Sequence, residues 1–359
     1  MRTLNNTARV EHGCGGKIGR AFVLSFLLLL LAVLLWPPAA KGEAPQFEIK
    51  LATLAPENSS LMQIFHEMNA DLLKETDGKV GFKIFSGFVL GDEEDVLRKL
   101  RVGMVHAATF TGPALTSLNP GMRVLQIPFL FSNYQEVDYV LVKIDGDLRY
   151  GFSTRGLEIL GWSELGFLYY MSTIPVANLD GVKGKKVWAR SNAPMLDVIM
   201  QKAGVSPVAI NSPDVLIALQ TNLVQVVYNS PYYALVTQWN TQVKYITDLP
   251  IAYIGGALVM DRKVFARMPA PLQEKMKMVC GKHMRRLTER TRKDNADALD
   301  IILKRGVKKI VPSAREVEAF KDLGTRAMAD LGPNYFPQEI LSKVKAALAE
   351  YRALNQSKK

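Results

Sequence analysis

In the middle of this chain, segments with the apolar pattern of a strand alternate with segments that have the apolar spacing of a helix. Short apolar runs at residues 186–189, 207–210 and 224–227 read as strands, and apolar residues at helical spacing lie between them. Asn211, Ser212 and Pro213 are typical of a helix start, with a capping Ser and a Pro in the first turn. This strand–helix–strand–helix–strand order predicts a parallel sheet, and such sheets bind ligands at the carboxyl ends of their strands.

The same order of elements is predicted nearer the start of the chain. Strands are expected at residues 47–51, 80–84 and 105–110, with helices beginning at Asn58 or Ser59 and at Asp92. The two regions share a pattern of elements and are not a sequence repeat. They predict two α/β units, each with its own strand ends.

The connections between the units favour two lobes joined by a hinge. Residues 125–131 read as a buried strand or crossover, and strands are expected at 157–162 and 166–171. The chain crosses near 162–167 and returns near 253–257, and after 260 it is mainly helical, with a long segment ending near Lys304. We expect an α/β fold whose first lobe comprises 45–165 and 256–300 and whose second comprises 166–255 and 301–359.

The N-terminus reads as a targeting segment. A basic region precedes the apolar run 21–36, and small residues suited to a signal peptidase follow it. The run has 16 residues, short of the ~20 of a spanning helix. We interpret residues 1–40 as a signal peptide cut after Ala40, with cleavage after Ala44 or an uncleaved anchor as alternatives. The body of the protein is then expected in the periplasm.

The charge distribution argues against a nucleic-acid partner, and the cysteine content argues against an internal disulfide. The formal net charge is +11, but its basic residues are dispersed and not interleaved with aromatics as nucleic-acid binding would require. The two cysteines are Cys14, in the predicted leader, and Cys280. An internal disulfide is therefore not expected after the leader.

The search for catalytic chemistry nominates no residues. The four histidines lack metal-ligand spacing, and the chain has no nucleophile elbow, no HExxH and no dinucleotide fingerprint. The carboxylates of residues 92–95 lie at a helix start, where acidic groups favour the helix dipole. We therefore predict no enzyme, no metal and no cofactor, but a cleft that binds a small molecule.

Four segments in order carry a resemblance to a known family. They are FKIFSGFVLGDEEDVLRKLRVGMVHAA, LNPGMRVLQIPFLFSNYQEVDYV, VKGKKVWARSNAPM and DVLIALQTNLVQVVYNSPYYAL. Together they resemble the DctP-like solute-binding component of TRAP (tripartite ATP-independent periplasmic) transporters. The resemblance implies two α/β lobes with a long helix across both. It also implies a receptor that closes on a small ligand and delivers it to a permease of one small and one large membrane subunit.

The chain departs from that family where a carboxylate would be held. The family's usual clamping Arg is replaced by Trp188, with Arg190 two residues on and on the same face of the strand. Either Arg190 takes over the clamp and the ligand is an organic acid, or Trp188 forms a wall for a less acidic, aromatic or hydrophobic ligand. Asn222 and Gln225 stand where the family usually has Gly and Asp. The abundance of nearby aromatics favours the second interpretation slightly.

The candidate ligand-binding residues follow predicted strands or occupy the first loops. They are Trp188, Arg190, Asn229, Tyr228, Phe110, Thr111, Trp162, Asn58, Ser86, Tyr232 and Tyr253. Each aromatic among them could equally belong to the core. The alternatives to a transport receptor are an exported binding protein for a hydrophobic ligand or for signalling, and an exported enzyme on the same fold. We expect a monomer, with a dimer as the alternative.

Overall fold

A computed structural model of the chain describes residues 44–190, 194–332 and 334–356. The predicted leader and its cleavage site after Ala40 lie outside these residues. The segment Pro45–Lys359 forms one compact unit.

The described residues contain ten strands, all of which belong to one connected sheet. They are β1 (Phe47–Ala52), β2 (Val80–Phe85), β3 (Ala107–Thr111), β4 (Leu157–Ser172), β5 (Lys186–Ala189), β6 (Ser206–Ala209), β7 (Val226–Asn229), β8 (Tyr245–Thr247), β9 (Ala252–Asp261) and β10 (Lys308–Ile310).

Helices connect and cover these strands. They are α1 (Ser60–Glu75), α2 (Glu93–Arg101), α3 (Gly112–Leu118), α4 (Tyr134–Ser153), α5 (Pro194–Lys202), α6 (Val215–Gln220), α7 (Pro231–Val236), α8 (Arg262–Ala266), α9 (Ala270–Lys304), α10 (Ala314–Asp330) and α11 (Gln338–Gln356). Short 3-10 helices span Pro120–Gln126, Ser212–Asp214 and Trp239–Thr241.

Side-chain caps explain where several helices begin. The Ser59 side chain accepts a hydrogen bond from the Met62 backbone at the start of α1, as the sequence predicts. Asp92 and Asp95 form a reciprocal capping box at the start of α2. At Asn211 the expectation is only partly met, because the chain forms a 3-10 turn before α6 and no side-chain cap is made. Ser212 lies inside that turn.

One long strand, β4, joins two groups of strands. The order is β2-β1-β3-β9-β4-β7-β5-β6, with β8 pairing both β4 and β10. β1 is parallel to β2 and β3, and β5 is parallel to β6 and β7, so both predicted parallel units are present. β4 and β9 are antiparallel and align Trp162 with Ala257 and Phe167 with Tyr253. The two predicted crossings therefore lie side by side as paired strands.

Three apolar clusters cover the two groups of strands. Two of them lie around β1, β3 and β9, and the third contains Val187, Trp188, Val226 and Trp239 from the second group. The last helix, α11, places Val344, Ala347 and Leu348 in the cluster that also holds Val137 and Val140 of α4.

Of the predicted segments, 125–131 is not a strand, whereas the strands at 157–162 and 166–171 are present but joined. Residues 125–131 continue a 3-10 helix and then turn, because Pro128 cannot donate to a ladder and Phe129 takes a left-handed φ of 56°. The strands expected at 157–162 and 166–171 are one strand, β4, whose pairing with β9 shifts register between Ile159 and Gly161 and between Glu164 and Gly166. The helical segment ending near Lys304 is one helix of 35 residues.

Among the described residues, no helix combines the length with the apolar character needed to cross a bilayer.

Candidate functional site

The carboxyl ends of β3, β5 and β7 open onto one cavity of about 100 Å³, which we call the polar cavity. Thr111, Arg190 and Asn229 lie at these three strand ends. β3 runs in the opposite direction to β5 and β7, so its carboxyl end faces theirs, and side chains far apart in sequence come together there. The remaining lining residues are Pro113, Thr116, Arg123, Gln126, Leu165, Leu168, Trp188, Met195, Leu196, Tyr228, Ile254 and Tyr335.

Two arginines face this cavity from opposite groups of strands. Arg190 follows β5 and contacts the Ser212 hydroxyl at 3.5 Å. Arg123 lies in the 3-10 helix Pro120–Gln126, donates to the Tyr335 carbonyl at 2.9 Å and stacks over the Tyr335 ring at 4.5 Å. Neither arginine forms an ion pair with a described carboxylate. The cavity therefore holds two half-buried cations with donors left for an anion.

Trp188 forms a wall of the polar cavity. It is only 2% exposed, and its indole Nε1 donates to the Ile210 carbonyl at 2.9 Å. Its ring packs against Tyr228 at 5.0 Å and against Trp239 at 5.3 Å. Since its one donor is already used, Trp188 can offer a ligand an apolar surface but no hydrogen bond.

Tyr228 lines the same wall with a buried hydroxyl. That hydroxyl has no hydrogen-bond partner within bonding distance among the described residues. Burial raises the pKa of Tyr228, while the nearby backbone and charge of Arg190 act in the opposite direction. The neutral phenol is thus a donor that a ligand could use.

Asn229 and Thr111 supply polar groups at the strand ends. Asn229 is buried, and its Oδ1 accepts from the Ser230 backbone at 2.9 Å. Thr111 donates from its backbone nitrogen and its hydroxyl to Glu93 Oε1, at 2.9 and 2.7 Å. Both residues line the polar cavity.

Glu93 is a buried carboxylate next to this site and is 7% exposed. Burial raises the pKa of Glu93, and the charge of Arg190 and the hydrogen bonds from Thr111 partly offset that effect. The sequence interpretation of residues 92–95 holds for Asp92 and Asp95, which cap α2. It missed that Glu93 points inward.

A second cavity of about 90 Å³ adjoins the first, and we call it the apolar cavity. Its walls come from β4, β5, α5 and α10, with Tyr170, Val187, Met200 and Leu323 among them. Burial raises the pKa of Tyr170 to about 12. Six residues line both cavities: Gln126, Leu168, Met195, Leu196, Tyr228 and Ile254.

Three aromatic candidates lie away from the cavities, with Phe110 and Tyr253 in the core and Trp162 partly buried against it. Phe110 is fully buried beside β9. Trp162 donates from Nε1 to Asp145 at 2.5 Å and lies under the Arg149 guanidinium. Tyr253 donates to Glu164 at 3.0 Å. None of the three lines either cavity, because side chains on alternate faces of β3, β4 and β9 enter the clusters between sheet and helices.

Three further candidates lie outside both cavities. Asn58 is exposed in the loop before α1, and Ser86 is hydrogen-bonded to the Glu57 carboxylate. Tyr232 lies in the first turn of α7, where its backbone nitrogen donates to Asn295 at 3.0 Å and its hydroxyl is hydrogen-bonded to Ser60. A ligand role for these residues stays a prediction.

Sequence reasoning missed Arg123 and Tyr335. Arg123 is a lone cation inside the mostly apolar segment 118–131, which could have marked it. Tyr335 had no signal, because it reaches the cavity only through packing of the segment before α11. Within the described residues, no group of three His, Cys, Asp or Glu side chains could hold a metal ion.

Comparisons with known proteins agree with this architecture. The family described as DctP, bacterial extracellular solute-binding protein family 7, matches residues 51–331. The C4-dicarboxylate-binding periplasmic protein DctP of Rhodobacter capsulatus is 22% identical over 283 residues, covering 77% of this chain and 84% of that protein.

Two solved structures have the same fold. A TRAP periplasmic solute-binding protein from Ochrobactrum anthropi, with its C-terminus in its ligand-binding pocket, matches with a TM-score of 0.78 at 21% identity. The match covers 88% of this chain and 99% of that one. A second, from Sulfitobacter sp. NAS-14.1 with bound β-D-galacturonate, has a TM-score of 0.76 at 18% identity, covering 83% and 99%.

Proposed function

From the premise that this chain belongs to the DctP family of bacterial extracellular solute-binding proteins, we propose that it captures an organic anion between Arg190 and Arg123. The protein is an extracytoplasmic receptor of the TRAP type and not an enzyme. Its partners are a small-molecule ligand and the membrane permease to which the ligand is delivered.

One observation carries the choice of an anion. Two arginines without a carboxylate partner among the described residues converge on one cavity of about 100 Å³. The buried Glu93 lies near enough to Arg190 for their charges to interact but forms no ion pair with it. A planar guanidinium matches a ligand carboxylate with two parallel hydrogen bonds. Asn229 supplies a further polar group in the same cavity, whereas the hydroxyls of Thr111 and Thr116 already donate to Glu93 and to the Pro113 carbonyl.

The two interpretations of Trp188 and Arg190 can hold together. Arg190 takes the place of the missing clamp, while Trp188 supplies an apolar wall beside it. Relatives bind organic acids, as the names of the dicarboxylate-binding and galacturonate-bound proteins state. An acid with an apolar part would use both side chains of this site.

The test is isothermal titration with a panel of mono- and dicarboxylates. Arg190→Gln removes a charged pair to the ligand and should weaken binding by about 1.5–3 kcal/mol, or roughly 10- to 150-fold. Arg326→Gln, at an exposed arginine of α10 paired with Asp322, is the matched control and should change affinity by less than about twofold. Equal affinities for wild type and Arg190→Gln would remove Arg190 from the site.

We infer that residues 1–40 act as a signal peptide. The basic region, the apolar run and the small residues before Lys41 support this. The exported protein should then begin at Lys41, and the intact mass of the purified protein checks it. A mass that retains the apolar run would favour an uncleaved anchor.

The division into lobes also stays a prediction, with lobe boundaries near 165 and 256. The packing of α11 against α4 supports one change, because α4 belongs to the predicted first lobe. We propose that α11 moves with that lobe when the receptor closes.

A further inference from the structure

We propose that the ligand is an amphiphilic monocarboxylate whose carboxylate lies in the polar cavity and whose aryl or alkyl part fills the apolar cavity. This inference rests on the proposed function and specifies its ligand class. It starts from the continuity of the two cavities, which share six lining residues. A molecule held at Arg190 can therefore extend past Tyr228 and Leu196 without leaving the protein.

The chemistry of the apolar cavity excludes a strongly hydrated ligand part. Of its 21 described lining residues, only Gln126, Tyr170 and Tyr228 carry a polar side-chain atom, and none is charged. A hydroxyl buried without a hydrogen-bond partner opposes binding, whereas methylene and aryl groups favour it. A sugar acid would have too few partners here for its several hydroxyls.

The small volume of this cavity limits the length of the ligand. Phe320, Leu323 and Gly324 of α10 line it. A Cβ on Gly324 would come within 3.4 Å of Pro128 and 3.5 Å of Phe129, so α10 approaches that loop closely. An apolar cavity of ~150 Å³ can stay dry and take up benzene. At about 90 Å³ this cavity is smaller than that, but it adjoins the polar cavity of about 100 Å³, and together they fit a carboxylate with a single aryl ring or a chain of about four to six carbons.

The first experiment measures affinity against chain length. The protein expressed from the full-length chain is titrated with acetate, butyrate, hexanoate, octanoate and phenylacetate, and with galacturonate as a hydroxylated acid. Affinity should rise about fourfold with each added methylene and level off at about six carbons. Phenylacetate should bind at least tenfold more tightly than acetate. Affinity independent of chain length, or tighter binding of galacturonate than of hexanoate, would overturn the proposal.

Two matched variants test where the tail lies. Leu323→Ala enlarges the apolar cavity and should move the affinity plateau one to two carbons higher. Leu348→Ala removes an equally buried leucine from α11, which lines neither cavity, and should leave the plateau unchanged. A plateau that moves equally in both, or in neither, contradicts this placement. The wild-type series remains decisive if either variant fails to fold.

The primary amides of the same acids separate the two proposals. If amides bind as tightly as acids but still gain with chain length, the carboxylate recognition of the proposed function is wrong and the apolar site stands. If acids bind at least tenfold better than amides but chain length has no effect, the anion receptor stands and the amphiphilic ligand is wrong.

Discussion

Glu93 is the residue whose protonation we expect to couple stability to pH. Its carboxylate is buried against Thr111, and burial raises its pKa. A group with a raised folded-state pKa contributes stability below its unfolded value of 4.5, and that stability is lost as pH rises through the folded-state pKa. Replacement by Gln removes this loss while keeping a hydrogen-bond acceptor for Thr111.

Glu93→Gln should therefore gain stability relative to wild type as pH increases. The measurement is urea unfolding of both proteins between pH 4 and pH 8, comparing the difference in unfolding free energy. The same substitution at the exposed neighbour Glu94 is the control. A difference that shrinks with rising pH would contradict the raised pKa of Glu93.

Single residues also show which parts of the binding site could be predicted from the sequence. Arg190 and Asn229 follow strands of a recognisable parallel unit, so their convergence follows from topology. Arg123 lies in a 3-10 helix without a periodic pattern, and only long-range packing brings it to the cavity. For Phe110 and Tyr253, a place in a predicted strand was not enough to tell whether the side chain faces the core or the cavity.

At the scale of elements, the pairing of α1 with α9 depends on one polar cluster. Asp71 of α1 contacts the buried His283 at 2.8 Å and Lys282 at 3.0 Å, both on α9. Arg286 contacts Glu67 at 2.7 Å and the second imidazole nitrogen of His283 at 3.1 Å. Hydrogen bonds from His283 and Lys282 lower the pKa of Asp71 to about 2.

Asp71→Asn should weaken this helix pair at neutral pH. Because Asp71 is about 40% exposed, solvent screening limits the loss to about 0.5–1 kcal/mol. The contribution is present above pH 3.8 and is lost as pH falls through about 2, so the difference from wild type should be smaller at pH 3 than at pH 7. Chemical denaturation at pH 3 and at pH 7 measures this difference in unfolding free energy. Asp322→Asn, at a more exposed pair with Arg326, should show almost none of this effect.

Element types were more predictable than element continuity. Alternation and capping residues located most strands and helices, including the Ser59 start of α1 and the Lys304 end of α9. The break expected between 162 and 166 is a register shift inside one strand, because a bulge interrupts pairing without ending the strand. Local sequence cannot distinguish these outcomes, since the partner strand β9 lies about ninety residues on.

At the scale of the whole molecule, Arg292 links α9 to β4, the strand that both groups of strands share. Its guanidinium contacts Glu164 of β4 at 3.0 Å and Asp138 of α4 at 2.6 Å, and it lies over the Tyr134 ring at 4.4 Å. Tyr253 of β9 donates to the same buried Glu164. Contacts from helices α9 and α4 and from strands β4 and β9 therefore converge on Arg292 and Glu164.

Arg292→Met should destabilise the protein by about 3 kcal/mol, because it leaves Glu164 buried without its cation. Combining it with Glu164→Gln should restore part of the loss. Thermal and urea unfolding measure both, with Arg326→Met as the exposed control. If Arg292→Met costs no more than Arg326→Met, this contact does not stabilise the junction.

The continuity of β4 has a consequence for dissecting the protein. Residues 157–168 of this strand pair with β9 and residues 169–172 pair with β7, so one uninterrupted strand serves both groups. A gene cut within it would leave each half with an open sheet edge and a missing central strand. Neither lobe should therefore fold as a separate fragment, and split or circularly permuted versions should succeed only with new ends in loops that leave β4 and β9 whole.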